Sequence, residues 1–367
     1  MRITRLQVTD FRNIGQADVS PGPGMNLVVG ANGQGKTNLV EAITFLSWLR
    51  SFRTSRTTDL VSHDSESAHL LGSVSGDRGE HTIEIGVGRG FRRVTLDDHP
   101  VRSSRECLSR VTVAFLSPDD PAILEGGPDG RRTLVDRFAV LLDPSRTALI
   151  GRYSKLVRER NEILKSPGGS FDVGVLDACE EAMAEAGGQV VLARKEALDS
   201  LLEHLPGTLD DMAGEDLSVA VSYASRWIPE GTGRGDIGAL LRRRLHERRS
   251  TDTTLGRTTV GPHTDDLRVD LLGHRARGHA SRGQRKVLML AWKAAETRVF
   301  RVNLQVDPVL VLDDALADLD ATRQDRVVEY LAAYPGQSFL TGTSVPGGQP
   351  TGCRVFHTEA GRFTSRD

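Results

Sequence analysis

Residues 30–37 read GANGQGKT, a glycine-rich stretch that ends in a lysine and a threonine. The spacing G-x-x-x-x-G-K-[ST] is that of a P-loop, whose backbone N–H groups and following helix dipole face phosphate oxygens. The lysine of such a loop reaches the β- and γ-phosphates, and the hydroxyl is a ligand for Mg²⁺. We therefore expect ATP or GTP and Mg²⁺ to bind at Gly30, Ala31, Asn32, Gly33, Gln34, Gly35, Lys36 and Thr37.

A second candidate stretch, VLVLDD, covers residues 309–314. Four consecutive apolar residues are typical of a strand that is buried on both faces of a parallel sheet. Ligands of open α/β sheets bind at the carboxyl ends of the strands, where the two acids stand. The pattern predicts that Asp313 holds Mg²⁺ through its water shell and that Asp314 polarises the attacking water.

Between these stretches, ASRGQRK at 280–286 opens a predicted helix. A serine and a glycine at a helix start direct a hydroxyl and free N–H groups towards an anion. The position ahead of the acidic strand resembles the S-x-G-Q signature of ABC-type ATPases, in which the signature of one subunit caps the γ-phosphate held by the P-loop of another. This resemblance implies a composite ATP site with Ser281, Gly283 and Gln284, and an ATP-dependent homodimer.

The elements around these motifs indicate an α/β fold. An apolar strand pattern at 25–29 precedes the loop, and apolar residues at helical spacing follow it. The first 120 residues are otherwise β-rich, 126–254 are mainly helical with Leu176, Met183 and Val190 on one stripe, and the α/β pattern then returns. We predict an ABC-type P-loop ATPase head built from both chain ends, 1–125 and 255–367, with an inserted mainly helical lobe at 126–254.

Composition restricts the class of protein. The chain has 367 residues, enough for two domains, and a formal net charge of −2, which gives no global argument for nucleic acid. Its cysteines, Cys107, Cys179 and Cys353, are far apart, so neither a disulfide framework nor a zinc site is indicated. Neither a signal peptide nor a membrane span is expected, and the reducing cytoplasm fits the cysteine usage.

Arginines are nevertheless clustered, and such clusters are candidate contacts to a phosphate backbone as well as ordinary solvated surfaces. The clusters comprise Arg89, Arg92 and Arg93; Arg102, Arg105 and Arg110; Arg242, Arg243, Arg244, Arg248 and Arg249; and Arg275, Arg277, Arg282, Arg285 and Lys286. The sequence does not distinguish among them.

The motifs together resemble the RecF family of bacterial recombination-mediator ATPases from end to end. They are LQVTDFRNIG (6–15), NGQGKTNLVEAI (32–43), SFRT (51–54), FLSPDDPAILEGGPDGRRTLVDRF (115–138), RERNEILK (158–165), TTVGPHTDDL (258–267), ASRGQ (280–284) and DDALADLD (313–320). The resemblance implies an ATPase that dimerises with ATP on gapped or junction DNA, uses the lobe for DNA binding or dimerisation, and supports RecA loading with RecO and RecR. Slow, DNA-stimulated hydrolysis would release the dimer.

The same resemblance extends to single residues. It implies that Arg12 lies near the nucleotide. It leaves open whether Arg53 and Thr54 contact the nucleotide and whether Asp119 contacts Mg²⁺. The sequence differs from the usual family pattern at two positions: Thr264 stands where the family usually has arginine, and Ala317 stands where it usually has serine. His263, Asp265 and Asp266 are interpreted as structural, because adjacent side chains of an extended chain point to opposite sides. They stand together in GPHTDD.

Three other functions compete with this interpretation. A small-molecule kinase also carries a P-loop and Mg²⁺-binding acids, but needs no signature ahead of the acidic strand. A transport-coupled or other ABC-type ATPase would act on a different partner. In a transporter subunit the interval between P-loop and signature is shorter than the interval between Lys36 and Ser281 in this chain. A DNA clamp with an inactive ATP site would not need to keep both Asp313 and Asp314.

Overall fold

The chain has an α/β fold, as predicted. The computed structural model describes residues 1–76, 79–166, 172–214, 217–345, 347 and 352–366. Its strands are β1 (Arg2–Phe11), β2 (Ile14–Val19), β3 (Met25–Val29), β4 (Ser67–Gly76), β5 (Gly79–Gly88), β6 (Phe91–Leu96), β7 (His99–Pro100), β8 (Val113–Leu116), β9 (Val219–Ala224), β10 (Asp266–Leu271), β11 (His274–Arg275), β12 (Val309–Leu312), β13 (Ser338–Gly342), β14 (Arg354–Glu359) and β15 (Arg362–Arg366). Its helices are α1 (Lys36–Trp48), α2 (Ser104–Leu108), α3 (Pro128–Leu142), α4 (Arg146–Leu164), α5 (Val173–Leu202), α6 (Leu205–Ala213), α7 (Ile237–Leu255), the irregular α8 (Ala276–His279), α9 (Arg282–Leu304) and α10 (Ala321–Ala333).

The chain forms two compact units, and their boundaries depart from the predicted 1–125, 126–254 and 255–367. The first unit, here called the head, combines Met1–Ala122, His204–Leu217 and Ala280–Asp367. The second unit, here called the lobe, combines Ile123–Glu203 and Ser218–His279.

Two contacts account for the difference in boundaries. Helix α6 packs on α9 within the head, where the Thr208 hydroxyl donates to the Ala291 carbonyl at 3.0 Å. Strand β10 pairs with β9 in an antiparallel ladder of the lobe, with Val269 opposite Val221. The return of an α/β pattern after residue 255 therefore reflects strand pairing inside the lobe before the chain re-enters the head at Ala280.

Helix α1 is the centre of the head core. Its apolar residues are buried around the whole helix, which is typical of a helix covered on several sides. It contacts β1 and β4 of an antiparallel sheet and β8 and β13 of a mainly parallel sheet. A Cβ added to Gly72 of β4 would lie 2.4 Å from Leu46 of α1, so a glycine is needed for this close approach.

The mainly parallel sheet positions the candidate site. In the described residues its strand order is β15-β14-β3-β13-β12-β8, and β14, β3, β13, β12 and β8 run parallel. Strand β13 therefore separates β3, which leads into the P-loop, from β12, which leads into the two acids. Because parallel strands end at the same edge, the loop, the acids and the end of β13 share one edge of the sheet.

The lobe is mainly helical, with α5 packed against α3, α4 and α7. The predicted stripe of Leu176, Met183 and Val190 is buried on α5. This helix ends at Leu202, and Pro206 lies in the first turn of the following helix, α6. Among the described residues, no helix is both long enough and apolar enough to cross a membrane.

Candidate nucleotide site

Three glycines determine the backbone conformation of the loop between β3 and α1. Gly33 and Gly35 have φ angles of 79° and 114°, in the left-handed region that favours glycine. At position 30 only a glycine fits, because a Cβ there would lie 2.4 Å from the Thr358 carbonyl oxygen on β14. Substitution at these three positions would strain the backbone or push β3 away from β14.

The loop is also held from outside. The Asn13 amide donates to the Gly33 carbonyl at 3.1 Å. The Ala360 and Gly361 N–H groups donate to the side-chain and backbone oxygens of Gln34 at 2.6 and 2.9 Å. The predicted residue Gln34 therefore anchors the loop to the β14–β15 turn, and Asn13 is an anchor that the glycine pattern did not reveal.

Lys36 lies at the first position of α1, in the mouth of the loop. Its ammonium donates to the carbonyls of Gly30 and Ala31 at 2.7 and 2.9 Å, and its side chain is largely buried. A cavity of about 350 Å³ opens here, with Asn32, Gly33, Gly35, Lys36, Thr37, Asn38, Arg53, Pro118, Asp313, Asp314 and Thr341 in its wall. The predicted loop residues and both acids thus surround one space.

Asp313 is hydrogen-bonded to two hydroxyl groups, one from the P-loop and one from the end of β13. Its Oδ1 accepts from the Thr37 hydroxyl at 3.2 Å and from the Thr341 hydroxyl at 2.6 Å. Its backbone N–H donates to the Leu116 carbonyl on the neighbouring strand at 3.0 Å. The strand and the two hydroxyls therefore fix the carboxylate beside the loop.

The second oxygen of this carboxylate makes the site suitable for a cation. Asp313 Oδ2 is buried and has no hydrogen-bond partner among the described residues. Burial raises the pKa of Asp313 above its ordinary value, while the Thr341 and Thr37 hydroxyls lower it. A buried carboxylate with an unused oxygen beside a threonine hydroxyl is the hard oxygen donor set that Mg²⁺ prefers. Thr37 and Asp313 therefore fit the ion.

Asp314 differs from its neighbour in exposure. Its side chain is exposed in the wall of the cavity, whereas Asp313 is 2% exposed. Its φ of 49° is left-handed, and its N–H donates to the Thr341 hydroxyl at 2.8 Å. Such a turn lets two successive acids present different surfaces, one buried against the loop and one facing the open cavity.

Thr341 is the residue of this site whose role the sequence did not predict. Its single hydroxyl donates to Asp313 and accepts from the backbone of Asp314, so it fixes both acids at once. The available signal was its place at the end of the strand next to VLVLDD.

Arg12 does not line the cavity. Its guanidinium forms two hydrogen bonds to the fully buried Glu41 carboxylate, at 3.0 and 2.8 Å, and a third to the Asp59 carbonyl. Arg53 does line it, and donates to Asn38 at 2.8 Å and to Glu41 at 3.3 Å. In this structure Arg12 satisfies a buried charge, and Arg53 is the arginine that reaches the space beside Lys36.

The signature residues lie elsewhere on the head. Ser281 is the N-cap of α9, and its hydroxyl accepts from the Gln284 N–H at 3.2 Å while the Gln284 side chain accepts from the Ser281 N–H at 2.8 Å. Gly283 follows in the first turn, and Ser281 is exposed. Ser281, Gly283 and Gln284 are absent from the described wall of the cavity of the same chain.

The remaining candidate residues have structural partners or lie outside the cavity. Asp119 is absent from the described cavity wall, which contains its neighbour Pro118. In the lobe, Asp265 accepts from Tyr223 at 2.6 Å and from Trp227 at 2.8 Å, and His263 bonds Tyr153. These partners agree with a structural role for the GPHTDD segment.

Comparisons with known proteins agree with this geometry. Residues 2–344 match the family model of the RecF/RecN/SMC N-terminal domain. A protein described as DNA replication and repair protein RecF from Anaeromyxobacter sp. (strain Fw109-5) is 34% identical over 346 residues, which cover 94% of this chain and 92% of the relative. A RecF from Myxococcus xanthus is also 34% identical, over 94% of this chain and 91% of the relative.

Solved structures extend the comparison to the fold. A structure described as the recombination mediator protein RecF-ATP in the RecFOR pathway superposes with a TM-score of 0.89 at 28% identity, covering 100% of this chain and 97% of the other. An Smc head domain derived from Pyrococcus yayanosii reaches a TM-score of 0.58 at 13% identity, with 100% and 96% covered, and supports the fold alone. The predicted ABC-type head is thereby confirmed.

Proposed function

Since this chain belongs to the RecF family, we propose that it is a DNA-binding ATPase of recombinational DNA repair. It binds ATP with Mg²⁺, dimerises on gapped or junction DNA, and is released by slow hydrolysis that DNA stimulates. It acts in the cytoplasm with RecO and RecR to support the loading of RecA.

The observation that supports an ATP site best is the convergence around Asp313. A P-loop hydroxyl and a strand-end hydroxyl both donate to one oxygen of this buried carboxylate, and its other oxygen faces no partner among the described residues. A site for an uncharged ligand would gain nothing from a buried unpaired carboxylate, which costs free energy unless a cation or a proton compensates it.

The residues have the following proposed roles. Lys36 and the loop N–H groups bind phosphates, Thr37 and Asp313 hold Mg²⁺, and exposed Asp314 accepts a proton from the attacking water. Bound Mg²⁺ neutralises phosphate charge. Ser281, Gly283 and Gln284 act on the nucleotide of a second copy of the chain, which explains why the signature is exposed and lies apart from its own P-loop.

The experiment that tests this function is ATP hydrolysis as a function of protein concentration, with and without gapped duplex DNA, at two salt concentrations. A composite site predicts a rate that rises more steeply than linearly with protein and increases with DNA. A phosphate-backbone contact also predicts that DNA affinity falls as salt rises, because binding releases counterions. A rate linear in protein and indifferent to DNA contradicts the proposal and favours a kinase-like or other monomeric P-loop enzyme.

A further inference from the structure

The head has a second cavity, of about 520 Å³, next to the nucleotide cavity. Four arginines stand in its wall, Arg50, Arg53, Arg56 and Arg92, and its described wall contains no carboxylate. The first three recur at every third position of RSFRTSR (50–56), and Arg92 comes from β6. We call this space the arginine cavity.

Two of these guanidinium groups have no local counter-charge. Arg50 and Arg56 are exposed, and within the described parts of the chain neither side chain has a hydrogen bond or an ion pair. The nearby acids are bonded to other groups: Glu41 bonds Arg12, Arg53 and Ser51, and Asp59 accepts from the Thr54 hydroxyl at 2.5 Å. Arg50 and Arg56 therefore add two unpaired positive charges beside those of Arg53 and Arg92, and like charges around one space repel one another unless an anion compensates them.

The other two arginines are fixed in place. Arg92 donates to the Leu49 carbonyl, the C-cap of α1, at 2.7 Å. Arg53 is held by Asn38 and Glu41 of α1. The wall therefore combines two ordered guanidiniums with two exposed ones, and it adjoins the end of the helix that begins at the P-loop.

We propose that the arginine cavity binds backbone phosphate groups of DNA and that Arg53 couples this binding to the nucleotide cavity. The proposal rests on the proposed function and specifies where the head meets its nucleic-acid partner. Phosphate is the matching ligand because guanidinium groups bind its oxygens in a charge-assisted, often bidentate manner. DNA, rather than free nucleotide, is the source because a backbone supplies several phosphates at a regular spacing to several arginines.

Arg53 carries the coupling because it lines both cavities. A phosphate in the arginine cavity competes with Asn38 and Glu41 for its guanidinium, and both of those partners lie on α1. Ser51 adds a second link, since its hydroxyl donates to Glu41 and accepts from the backbone N–H of Arg53 at 2.9 Å. Occupation of the arginine cavity thereby changes the position of the Arg53 guanidinium beside Lys36, which couples DNA binding to ATP hydrolysis.

The test uses the full chain with Arg50→Gln and Arg56→Gln together, and neither residue lines the nucleotide cavity. Its matched control is Arg243→Gln with Arg248→Gln, two exposed arginines of α7 in the lobe. The measurements are the affinity of a fluorescent ATP analogue, the affinity for a labelled gapped duplex against salt, and hydrolysis with and without that duplex. Thermal unfolding shows that each variant is folded.

For Arg50→Gln/Arg56→Gln we expect ATP affinity and DNA-free hydrolysis within about twofold of wild type, and loss of most DNA stimulation. The slope of log affinity against log salt should fall by about 2, since each neutralised phosphate contributes about 0.9. The control should keep the wild-type slope and stimulation.

Different failures have different meanings. Wild-type protein that neither binds DNA nor responds to it contradicts the proposed function itself. Responsive wild type with an unchanged Arg50→Gln/Arg56→Gln variant overturns the arginine cavity alone, as does a loss confined to the control. Weakened ATP binding with intact DNA binding would assign the cavity to nucleotide phosphates and also overturn the DNA assignment.

Discussion

At the scale of single residues, the candidate site depends on one hydroxyl that has no charge of its own. Thr341 lowers the pKa of Asp313 by donating to it, against the burial that raises the pKa. The Thr341 hydroxyl oxygen also accepts a hydrogen bond from the Asp314 backbone N–H. A cation site needs the ionised carboxylate, so Thr341 should extend the pH range in which the proposed Mg²⁺ binds.

We expect Thr341→Val to weaken Mg²⁺-dependent hydrolysis about tenfold or more, because a hydrogen bond to a charged group is lost while the side-chain volume is kept. The lost donor raises the pKa of Asp313 further, so hydrolysis should fail at a higher pH as the solution is acidified. The pH profile of ATP hydrolysis at fixed Mg²⁺ measures both effects.

Thr341→Ser is the matched control, since it keeps the hydroxyl. It should retain the wild-type acid limb. If the valine variant has the same acid limb as wild type, Asp313 does not depend on Thr341 for its ionised state.

The residue scale is also where the sequence was least informative. The positions of Lys36, Thr37, Asp313 and Asp314 follow from short motifs, and the structure brings these residues together. The partner of Arg12 does not follow from a local pattern, because Glu41 lies 29 residues away and its burial is a property of the packed head. Arg50, Arg53 and Arg56 stand close together in the sequence, but their common wall with Arg92 depends on the fold, because Arg92 comes from β6.

At the scale of elements, the same N-terminal capping box occurs on two helices that have different proposed roles. Ser281 on α9 and Ser103 on α2 are both N-caps in a capping box, with Gln284 and Glu106 as the reciprocal partners. Both serines are exposed. A capping role alone therefore predicts similar consequences for their loss, whereas the proposed composite site predicts different ones.

We expect Ser281→Ala and Ser103→Ala each to reduce the free energy of unfolding by about 1 kcal/mol, as loss of an N-cap does. Only Ser281→Ala should also weaken ATP-dependent dimerisation, because its hydroxyl is proposed to contact the nucleotide of the partner. Chemical denaturation and analytical ultracentrifugation with ATP separate the two effects. Equal dimerisation by the two variants would reduce Ser281 to a helix cap.

Elements were predictable where their pattern was local. The strand at 309–312 and the helix after the P-loop agree with their predicted positions because a continuous apolar run and a glycine loop specify them. The assignment of β10 was not local: its alternating pattern gives a strand but not a partner, and pairing with β9 places it in the lobe. Helix α6 likewise packs on α9, where Thr208 bonds a residue 83 positions later in the chain.

At the scale of the whole molecule, the head is assembled from distant parts of the sequence. The P-loop comes from the first forty residues, whereas the acids, Thr341 and the signature come from the last hundred. Strand β13 joins them by pairing with β3 on one side and β12 on the other. Because the P-loop cavity and the signature occupy different places on one head, two copies related by a twofold axis would form two equivalent sites.

This symmetry gives a test that needs no structure of the dimer. Lys36→Ala should inactivate the P-loop and Ser281→Arg the signature, so each variant alone should hydrolyse little ATP. In a mixed dimer, one site combines both defects and the other combines an intact P-loop with an intact signature. At equal amounts, half of the dimers are mixed and each has one of two sites active, so the mixture should recover about one quarter of wild-type hydrolysis.

The recovered rate should follow a bell-shaped dependence on the mixing ratio, with its maximum at equal amounts. Mixing Lys36→Ala with Asp314→Asn is the matched control, because both changes affect the P-loop side of a site and no mixed dimer contains an intact one. No recovery in the first mixture despite ATP-dependent association would mean that each chain completes its own site. Recovery in the control would instead mean that the Lys36 and Asp314 of one site come from different chains. Recovery confined to the first pair requires that ATP is hydrolysed between two chains, so that the nucleotide which binds the copies together is also the one whose loss separates them.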